Sequence, residues 1–143
     1  MICLNKQVDY GVQFLVALSL VAPKEQLSLR QFTEKHNMSF LFLQRIASLL
    51  KKAKLIQATK GAHGGYSLVK DPKDITFLEI YEAIEGPYGP TSCLRDPAFD
   101  CPREKLCASQ DFFMVLQHDL RDFMQKSTLD TIITLYVSNK TDR

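Results

Sequence analysis

The hydrophobic positions of this chain recur at helical spacing over most of its length. Asn5 is a suitable cap for a first helix that runs to about Val21, where Ala22-Pro23 ends it. No stretch approaches the ~18 consecutive apolar residues that a membrane span needs. The apolar run at 14–21 lacks the basic leader and cleavage site of a signal peptide. We therefore expect a cytoplasmic protein with no membrane partner.

The next two predicted helices are separated by only three residues. Ser28 and Gln31 have the spacing of a capping box at the start of a short helix over 29–36. The segment 37–39 interrupts the helical pattern, and a further helix follows over about 40–53 with an apolar stripe on one face. Two helices joined by so short a break are typical of a helix-turn-helix.

Two short strands are predicted directly after these helices, at 55–59 and 66–70. The segment between them, 60–65, holds three of the six glycines of the chain, which indicates a tight hairpin with positive φ angles. A helix-turn-helix followed by such a hairpin is a winged helix. The predicted fold class is therefore mainly α with a small β-hairpin wing.

The second half of the chain changes character after one more helix. Thr76 and Glu79 form another capping box, and that helix ends at Gly86-Pro87. The segment 87–108 has no periodicity and holds four of the six prolines and three of the four cysteines. It is predicted to be an irregular loop that needs something to order it. A long helix over 110–126 follows, and a last short helix is predicted after residue 127 or 128.

Charge is divided unevenly between the two halves. Residues 1–70 hold ten Lys and Arg against three acids, a net charge of +7, whereas residues 71–143 hold eight against thirteen, a net charge of −5. A basic half attracts phosphate. We therefore predict DNA binding by the polar residues of the second helix and the hairpin, which are Ser39, Gln44, Arg45, Lys51, Lys52, Lys60 and His63.

Their positions divide these candidates by role. The start of the second helix of a helix-turn-helix enters the major groove, where Gln44 and Arg45 are the residue types that bond to base edges. The lysines at 51, 52 and 54 lie further along and suit phosphates. Lys60 and His63 lie on the hairpin, beside an adjacent minor groove. The alternative is that all of these are ordinary surface residues.

The cysteines provide the other candidate chemistry. Thiols remain reduced in the cytoplasm, so four cysteines favour a metal or redox site over disulfides. Iron–sulfur clusters are held by thiolates, and the closely paired cysteines of a structural zinc site are absent. Structural cysteines, zinc and a disulfide switch remain alternatives. No catalytic triad, carboxylate pair or nucleotide-binding loop is found, so we do not expect an enzyme.

The same residues resemble the Rrf2 family of winged-helix transcriptional regulators, over about residues 4–137. The resemblance rests on 42–55, on the wing signature Lys60-Gly61 with 64–68, and on 75–80. The family usually has Gly at the position of Lys54. The resemblance implies homodimers that bind double-stranded DNA at inverted-repeat operators, with the long helix as the dimer interface. The chain then divides into a DNA-binding domain over 1–86, a cysteine loop over 87–109, and a dimerisation helix with its tail over 110–143.

One branch of this family, which includes an iron–sulfur-cluster regulator and a nitric-oxide-sensing repressor, binds a cluster through three cysteines of the loop. The resemblance implies that Cys93, Cys101 and Cys107 hold such a cluster, of the 2Fe–2S or 4Fe–4S type. Seven residues separate the first pair and five the second, whereas the family usually has five in both gaps. His118 and Cys3 are expected to lie outside the site.

The fourth ligand is predicted from the start of the first helix. The cluster regulator has a His ligand where this chain has Gln110. The nitric-oxide-sensing branch has a Thr-Asp-Tyr-Gly pattern that Val8-Asp9-Tyr10-Gly11 resembles, and this implies that Asp9 reaches the cluster of the partner subunit. The alternative is that Asp9 simply favours the helix dipole.

The sequence therefore predicts a homodimeric DNA-binding regulator, a repressor, controlled by an iron–sulfur cluster that responds to redox state, nitric oxide or cluster supply. The alternative is a cluster-free regulator of the same family that senses a metabolite, a protein partner or thiol oxidation.

Overall fold

The computed structural model describes residues 4–22 and 24–141. Within these ranges the chain forms helices and one hairpin, in the order α1 (Lys6–Leu20), α2 (Leu29–His36), α3 (Phe40–Lys52), β1 (Ile56–Thr59), β2 (Gly65–Leu68), α4 (Phe77–Glu85), α5 (Ser92–Arg95), α6 (Gln110–Lys126) and α7 (Leu129–Thr141). The predicted mainly helical fold with a β-hairpin wing is confirmed. None of the described helices is long and apolar enough to cross a membrane.

Polar caps start the first two helices where the sequence predicts them. The side chain of Asn5 accepts a hydrogen bond from the backbone N–H of Gln7, at 3.2 Å. The hydroxyl of Ser28 caps α2 in the same way. Asn37 ends α2 in the left-handed conformation, with φ of 51°, which Asn tolerates better than most residues. The short turn that follows separates the two helices of the helix-turn-helix.

The hydrophobic core lies in the N-terminal part of the chain, between α1, α3 and α4. Phe14, Leu43, Ile46 and Ile80 are fully buried there. Gly11 lets α1 and α4 approach closely, because a Cβ at this position would lie 2.5 Å from Cδ1 of Ile84. Helix α3, the recognition helix of the helix-turn-helix, is therefore packed against two other helices of the same domain.

The wing is a two-stranded antiparallel sheet in which Ile56 pairs with Leu68 and Thr59 with Gly65. Leu27 adds an antiparallel bridge on its far edge, through two backbone hydrogen bonds with Tyr66 of 2.9 and 3.0 Å. This bridge explains Gly65, since a Cβ there would lie 2.6 Å from the carbonyl oxygen of Leu27.

The glycines of the wing tip serve two different purposes. Gly61 has the positive φ predicted from the glycine cluster, at 116°. Gly64 and Gly65 do not have positive φ angles. They provide space, because added side-chain atoms would collide with the neighbouring backbone. The hairpin was predicted correctly, but a positive φ angle explains only Gly61 among its three glycines.

A reciprocal capping box begins α4, as predicted. Glu79 accepts from the backbone N–H of Thr76 at 2.9 Å and donates its own N–H to the Thr76 hydroxyl at 3.1 Å. Lys70 reaches the same carboxylate at 2.7 Å. Burial raises the pKa of Glu79, but the hydrogen bonds from Lys70 and Thr76 outweigh it and lower the pKa below its usual value. The exit of the wing is thereby tied to α4.

The C-terminal part matches the prediction for α6 and differs from it on either side. The cysteine loop contains the one-turn helix α5 and a short 3-10 turn at Glu104–Leu106. Helix α7 has 13 residues and is longer than the predicted short helix. It returns to the N-terminal core, where Leu129 is fully buried and its N–H donates to the Ile75 carbonyl at 2.8 Å.

Candidate DNA-binding surface and cysteine cavity

Helix α3 separates its buried and exposed side chains as a recognition helix must. Leu43, Ile46, Ala47 and Leu50 are buried. Phe42 was predicted to belong to this buried stripe, but it is only half-buried and makes an edge contact with Tyr10. The predicted DNA contacts of this helix are exposed, namely Gln44, Arg45, Lys51 and Lys52.

The start of α3 carries the predicted DNA-binding residue Ser39 and a further candidate, Leu41, that was not predicted. Ser39 caps the helix by accepting from the N–H of Phe42 at 3.4 Å, so its hydroxyl helps to orient the first turn. Leu41 is 75% exposed on that turn. Apolar side chains at this place can contact the methyl group of thymine. Leu41 could have been identified from the sequence, because it is an apolar residue at the start of the recognition helix that lies outside the buried stripe.

The wing is held beside the helix-turn-helix. Gln26, just before α2, donates to the hydroxyl of Thr59 on β1 at 2.7 Å. A polar groove of about 510 Å³ lies between this segment and the wing tip. Lys60 and His63 are both exposed at the tip. Hydrogen bonds therefore attach the wing to the segment that leads into the helix-turn-helix.

Lys54, which follows α3, has a left-handed backbone with φ of 60°. This is the position at which the resemblance implies a glycine. Glycine adopts such angles without steric cost, whereas a residue with a Cβ is strained by about 1–2 kcal/mol. Lys54 is exposed in this conformation.

The structure brings the three loop cysteines to one cavity. Cys93 lies in α5, Cys101 follows an irregular turn, and Cys107 lies just before α6. All three line a cavity of about 210 Å³, together with Gln110 and Glu104 among others. The three thiols are free, with Cys93 and Cys101 half-buried and Cys107 exposed.

The surroundings of Cys107 lower the pKa of its thiol. Its sulfur lies 3.6 Å from the hydroxyl of Ser109. The Ser109 hydroxyl, followed by the backbone N–H groups of Ser109 and Gln110, lowers the pKa of Cys107 below its usual value, and Arg103 adds a smaller electrostatic contribution. The start of α6 thus favours the thiolate, which is the form that binds metals.

The three thiols that line this cavity are the type of ligand that holds an iron–sulfur cluster. The surroundings of Cys107 also favour its thiolate form. The ligands are not converged for a single ion. Within residues 4–22 and 24–141, no group of three or more His, Cys, Asp or Glu side chains is arranged to hold a metal ion.

Hydrogen bonds connect the cysteine loop to the helices on both sides. The side chain of Gln117 on α6 donates to the carbonyls of Tyr88 and Leu94, at 3.0 and 2.9 Å. Arg95 of α5 donates to the carbonyl of Glu85 at the end of α4. Side-chain hydrogen bonds therefore attach the loop to the end of α4 and to α6.

The other predicted residues lie away from the cavity of their own chain. Asp9 is exposed on α1, where it accepts a hydrogen bond from Gln13 at 3.0 Å. His118 is an exposed residue of α6, paired with Asp119 at 3.2 Å. Cys3 lies outside the described residues.

Helix α6 carries several large apolar side chains that are exposed in the part of the chain that the structure describes. Phe112 and Phe123, near its two ends, are 65% and 66% exposed. Met114 and Val115 are also more than half exposed. Contiguous exposed apolar surface on a small domain marks an interaction site.

A helix-turn-helix braced by a three-helix core and followed by a wing defines a winged-helix DNA-binding regulator of transcription. Comparison with known proteins identifies the family. The family described as "Rrf2: Iron-dependent Transcriptional regulator" matches residues 4–135. The chain belongs to the Rrf2 family of transcriptional regulators.

The individual proteins that this chain resembles share 24% to 28% sequence identity with it. Protein rrf2 of Nitratidesulfovibrio vulgaris is 28% identical over 75% of this chain and 71% of its own length. The transcriptional regulator IscR of Vibrio parahaemolyticus is 25% identical over 97% of this chain and 84% of its own. The solved structure of CymR, the global cysteine regulator of Bacillus subtilis, superposes with a TM-score of 0.76 at 24% identity, and covers 94% of this chain and 98% of that one.

Proposed function

We propose that this protein is a homodimeric, sequence-specific transcriptional repressor of the cytoplasm, whose affinity for an inverted-repeat operator is set by an iron–sulfur cluster on Cys93, Cys101 and Cys107. The observation that carries the proposal is the meeting of these three thiols at one cavity of about 210 Å³. The description of the matching family as iron-dependent supports it. When bound, such a cluster supplies a centre that oxygen, nitric oxide or iron limitation can alter.

The DNA-binding part of the proposal rests on exposure and charge. Gln44 and Arg45 are exposed on the recognition helix, in the region that reads base edges. Lys51, Lys52 and Lys60 supply phosphate contacts. His63 is placed at the wing tip, next to the minor groove.

Dimerisation through α6 follows from its uncovered apolar side chains, above all Phe112, Val115 and Phe123. A symmetric dimer places two recognition helices in two half-sites, which is why the operator is expected to be an inverted repeat. The hydrogen bonds of Gln117 to the cysteine loop then link the state of the loop to the dimer helix. A change at the cavity alters the spacing of the two recognition helices.

Asp9 is proposed as the fourth ligand, donated to the cluster of the partner subunit. Within its own protomer Asp9 does not line the cysteine cavity, and the one described hydrogen bond of its carboxylate is accepted from the side chain of Gln13. The carboxylate is exposed and therefore accessible to a second chain.

The test is to purify the full chain without oxygen from iron-replete cells and to record its absorption spectrum with iron and sulfide assays. We expect a brown protein that contains both elements, and operator binding that changes when a chelator removes them. A colourless protein with stoichiometric zinc would contradict the cluster.

A second candidate function is regulation without a cluster, by a metabolite, a protein partner or oxidation of the loop thiols. Two observations favour it: the three cysteines are free and not converged on a metal, and the superposed CymR is a cysteine regulator. A colourless, metal-free protein whose operator binding responds to a mild thiol oxidant would support this candidate.

A further inference from the structure

A groove of about 670 Å³ lies on the side of the protomer where α1, α2 and α7 meet. Its size is within the range of small-molecule sites in proteins. Its floor and walls are largely apolar, with Val16 and Phe32 below and Ile132 and Tyr136 from α7 above. This groove is separate from the cysteine cavity and shares no lining residue with it.

The rim of this groove carries charge of one sign. Lys35 contributes a positive charge from the end of α2 and Lys140 from the end of α7, whereas none of the described lining residues is acidic. Neither lysine forms an ion pair with any residue in the described part of the chain. Lys140 lies 4.7 Å above the ring of Tyr136, and this holds its ammonium group over the groove wall.

His36 is oriented by its neighbours. Its ring stacks on Phe32 with 4.1 Å between the centroids, and its Nδ1 donates to the Phe32 carbonyl at 2.9 Å. Because Nδ1 must carry the proton in that bond, Nε2 is left free for another partner. The groove therefore combines an apolar body with a polar end that lacks a counter-charge.

We propose that the groove between α1, α2 and α7 binds a small molecule with an apolar body and a carboxylate. The apolar part lies on Val16, Phe32 and Tyr136, and the carboxylate lies between Lys35 and Lys140. The charge complementarity of the rim selects this class over a neutral apolar compound or a cation. Helix α2 is the first helix of the helix-turn-helix, so an occupant lies directly behind the DNA-reading unit. Binding here requires neither the loop cysteines nor DNA.

The experiment uses fluorescence titration of the full-length wild-type protein with dansylaminoundecanoic acid, followed by competition with decanoate and with decanol below their micellar concentrations. We expect saturable binding that decanoate reverses at least about ten times more effectively than decanol. The Lys35→Gln/Lys140→Gln variant should lose at least about tenfold in affinity for the probe. The matched control, Lys73→Gln/Lys126→Gln, replaces two lysines that do not line the groove and should bind the probe like wild type.

A second variant tests the location independently. Ala17 lines the groove, and Ala17→Trp fills it, so probe binding should be lost while the sedimentation coefficient and the melting temperature remain close to wild type. Equal competition by decanoate and decanol, or equal probe affinity in both lysine variants, would overturn the proposal. A change of oligomeric state in Ala17→Trp would also overturn it, because the groove would then be an interface between two copies of this chain.

Discussion

The two parts of the chain bury their apolar side chains to very different extents. Residues 4–86 supply all but two of the buried hydrophobic side chains, the exceptions being Met124 and Leu129. Residues 87–141 contain nine of the thirteen large hydrophobic side chains that are exposed in the described ranges. The first part holds almost the whole core, to which α7 adds Leu129. The second part leaves most of its large apolar side chains exposed and its three thiols free.

Charge is also uneven along the chain, but its boundary falls earlier than the boundary of the buried core. Residues 1–70 carry a net charge of +7 and residues 71–143 a net charge of −5. The basic segment includes the helix-turn-helix and the wing, which is where phosphate is expected to bind. Substitutions in each part test this contrast.

Removing one loop thiol should have the largest effect. Cys93→Ser, Cys101→Ser and Cys107→Ser should each abolish the brown colour of anaerobically purified protein, because a hydroxyl is a poor replacement for a thiolate ligand. The melting temperature of the DNA-binding part should change little, since no cysteine belongs to its described core. Cys3→Ser is the control and should retain the spectrum. A wild-type spectrum in any of the three loop variants would remove that cysteine from the site.

A charge on the uncovered face of α6 should separate the two protomers. Phe123→Glu removes a side chain whose burial in a dimer is worth about 1.5–3 kcal/mol, and a symmetric interface loses it twice. We expect the dimer dissociation constant, measured by sedimentation equilibrium, to rise at least about a hundredfold. His118→Glu changes an exposed polar residue on the same helix and serves as the control. An intact Phe123→Glu dimer would place the interface elsewhere.

Two substitutions on α3 should distinguish base reading from phosphate binding. Arg45→Ala should cost about 1–3 kcal/mol at an operator selected from random sequences and little on unrelated DNA. Lys52→Ala should weaken both by a similar factor and flatten the salt dependence of binding. Quantitative DNA-binding titrations at several salt concentrations measure both effects. An equal loss on both DNAs for Arg45→Ala would make that residue a phosphate contact.

Asp9 is proposed to connect the DNA-binding part of one subunit with the cysteine loop of the other. Asp9→Ala homodimers should show a shorter-lived cluster or an altered spectrum, and complete loss is not expected because water can occupy the vacated position. A heterodimer of one Cys107→Ser subunit and one Asp9→Ala subunit, isolated with two affinity tags, tests whether ligation crosses the dimer. The three intact cysteines of the second subunit then meet the intact Asp9 of the first.

One cluster with a wild-type spectrum should therefore survive in each heterodimer. If no such cluster forms, ligation does not cross the dimer, because each site would then have lost a ligand from within its own subunit. An Asp9→Ala homodimer identical to wild type would exclude the residue altogether.

The smallest expected effect concerns strain inside the DNA-reading unit. Lys54→Gly should raise the free energy of unfolding by about 1 kcal/mol, because φ of 60° is strained for lysine and not for glycine. It should weaken DNA binding slightly by removing a cation. Chemical denaturation measures the first effect, and Lys52→Gly, at the last helical residue of α3, is the control and should destabilise. A loss of stability in Lys54→Gly would show that the lysine side chain contributes more than its backbone costs.

The sequence by itself determined the boundaries of most helices, the wing and the family. The caps at Asn5, Ser28 and Thr76 act through hydrogen bonds to residues two or three positions away. Local interactions of this kind are visible in a linear pattern, and so is the division of α3 into a buried and an exposed face. The candidate DNA contacts and the candidate ligands were named from the same local signals.

The tertiary structure alone decided which distant residues meet. The loop has no periodicity, so nothing in its sequence required Cys93, Cys101 and Cys107 to line one cavity. The return of α7 to the core depends on the burial of Leu129, a contact with elements more than fifty positions earlier in the chain. The groove behind the helix-turn-helix forms because α7 returns to α1 and α2. This return places Lys140 and Lys35 on the same groove. Packing between remote segments creates such sites, and residue spacing along the chain does not record it.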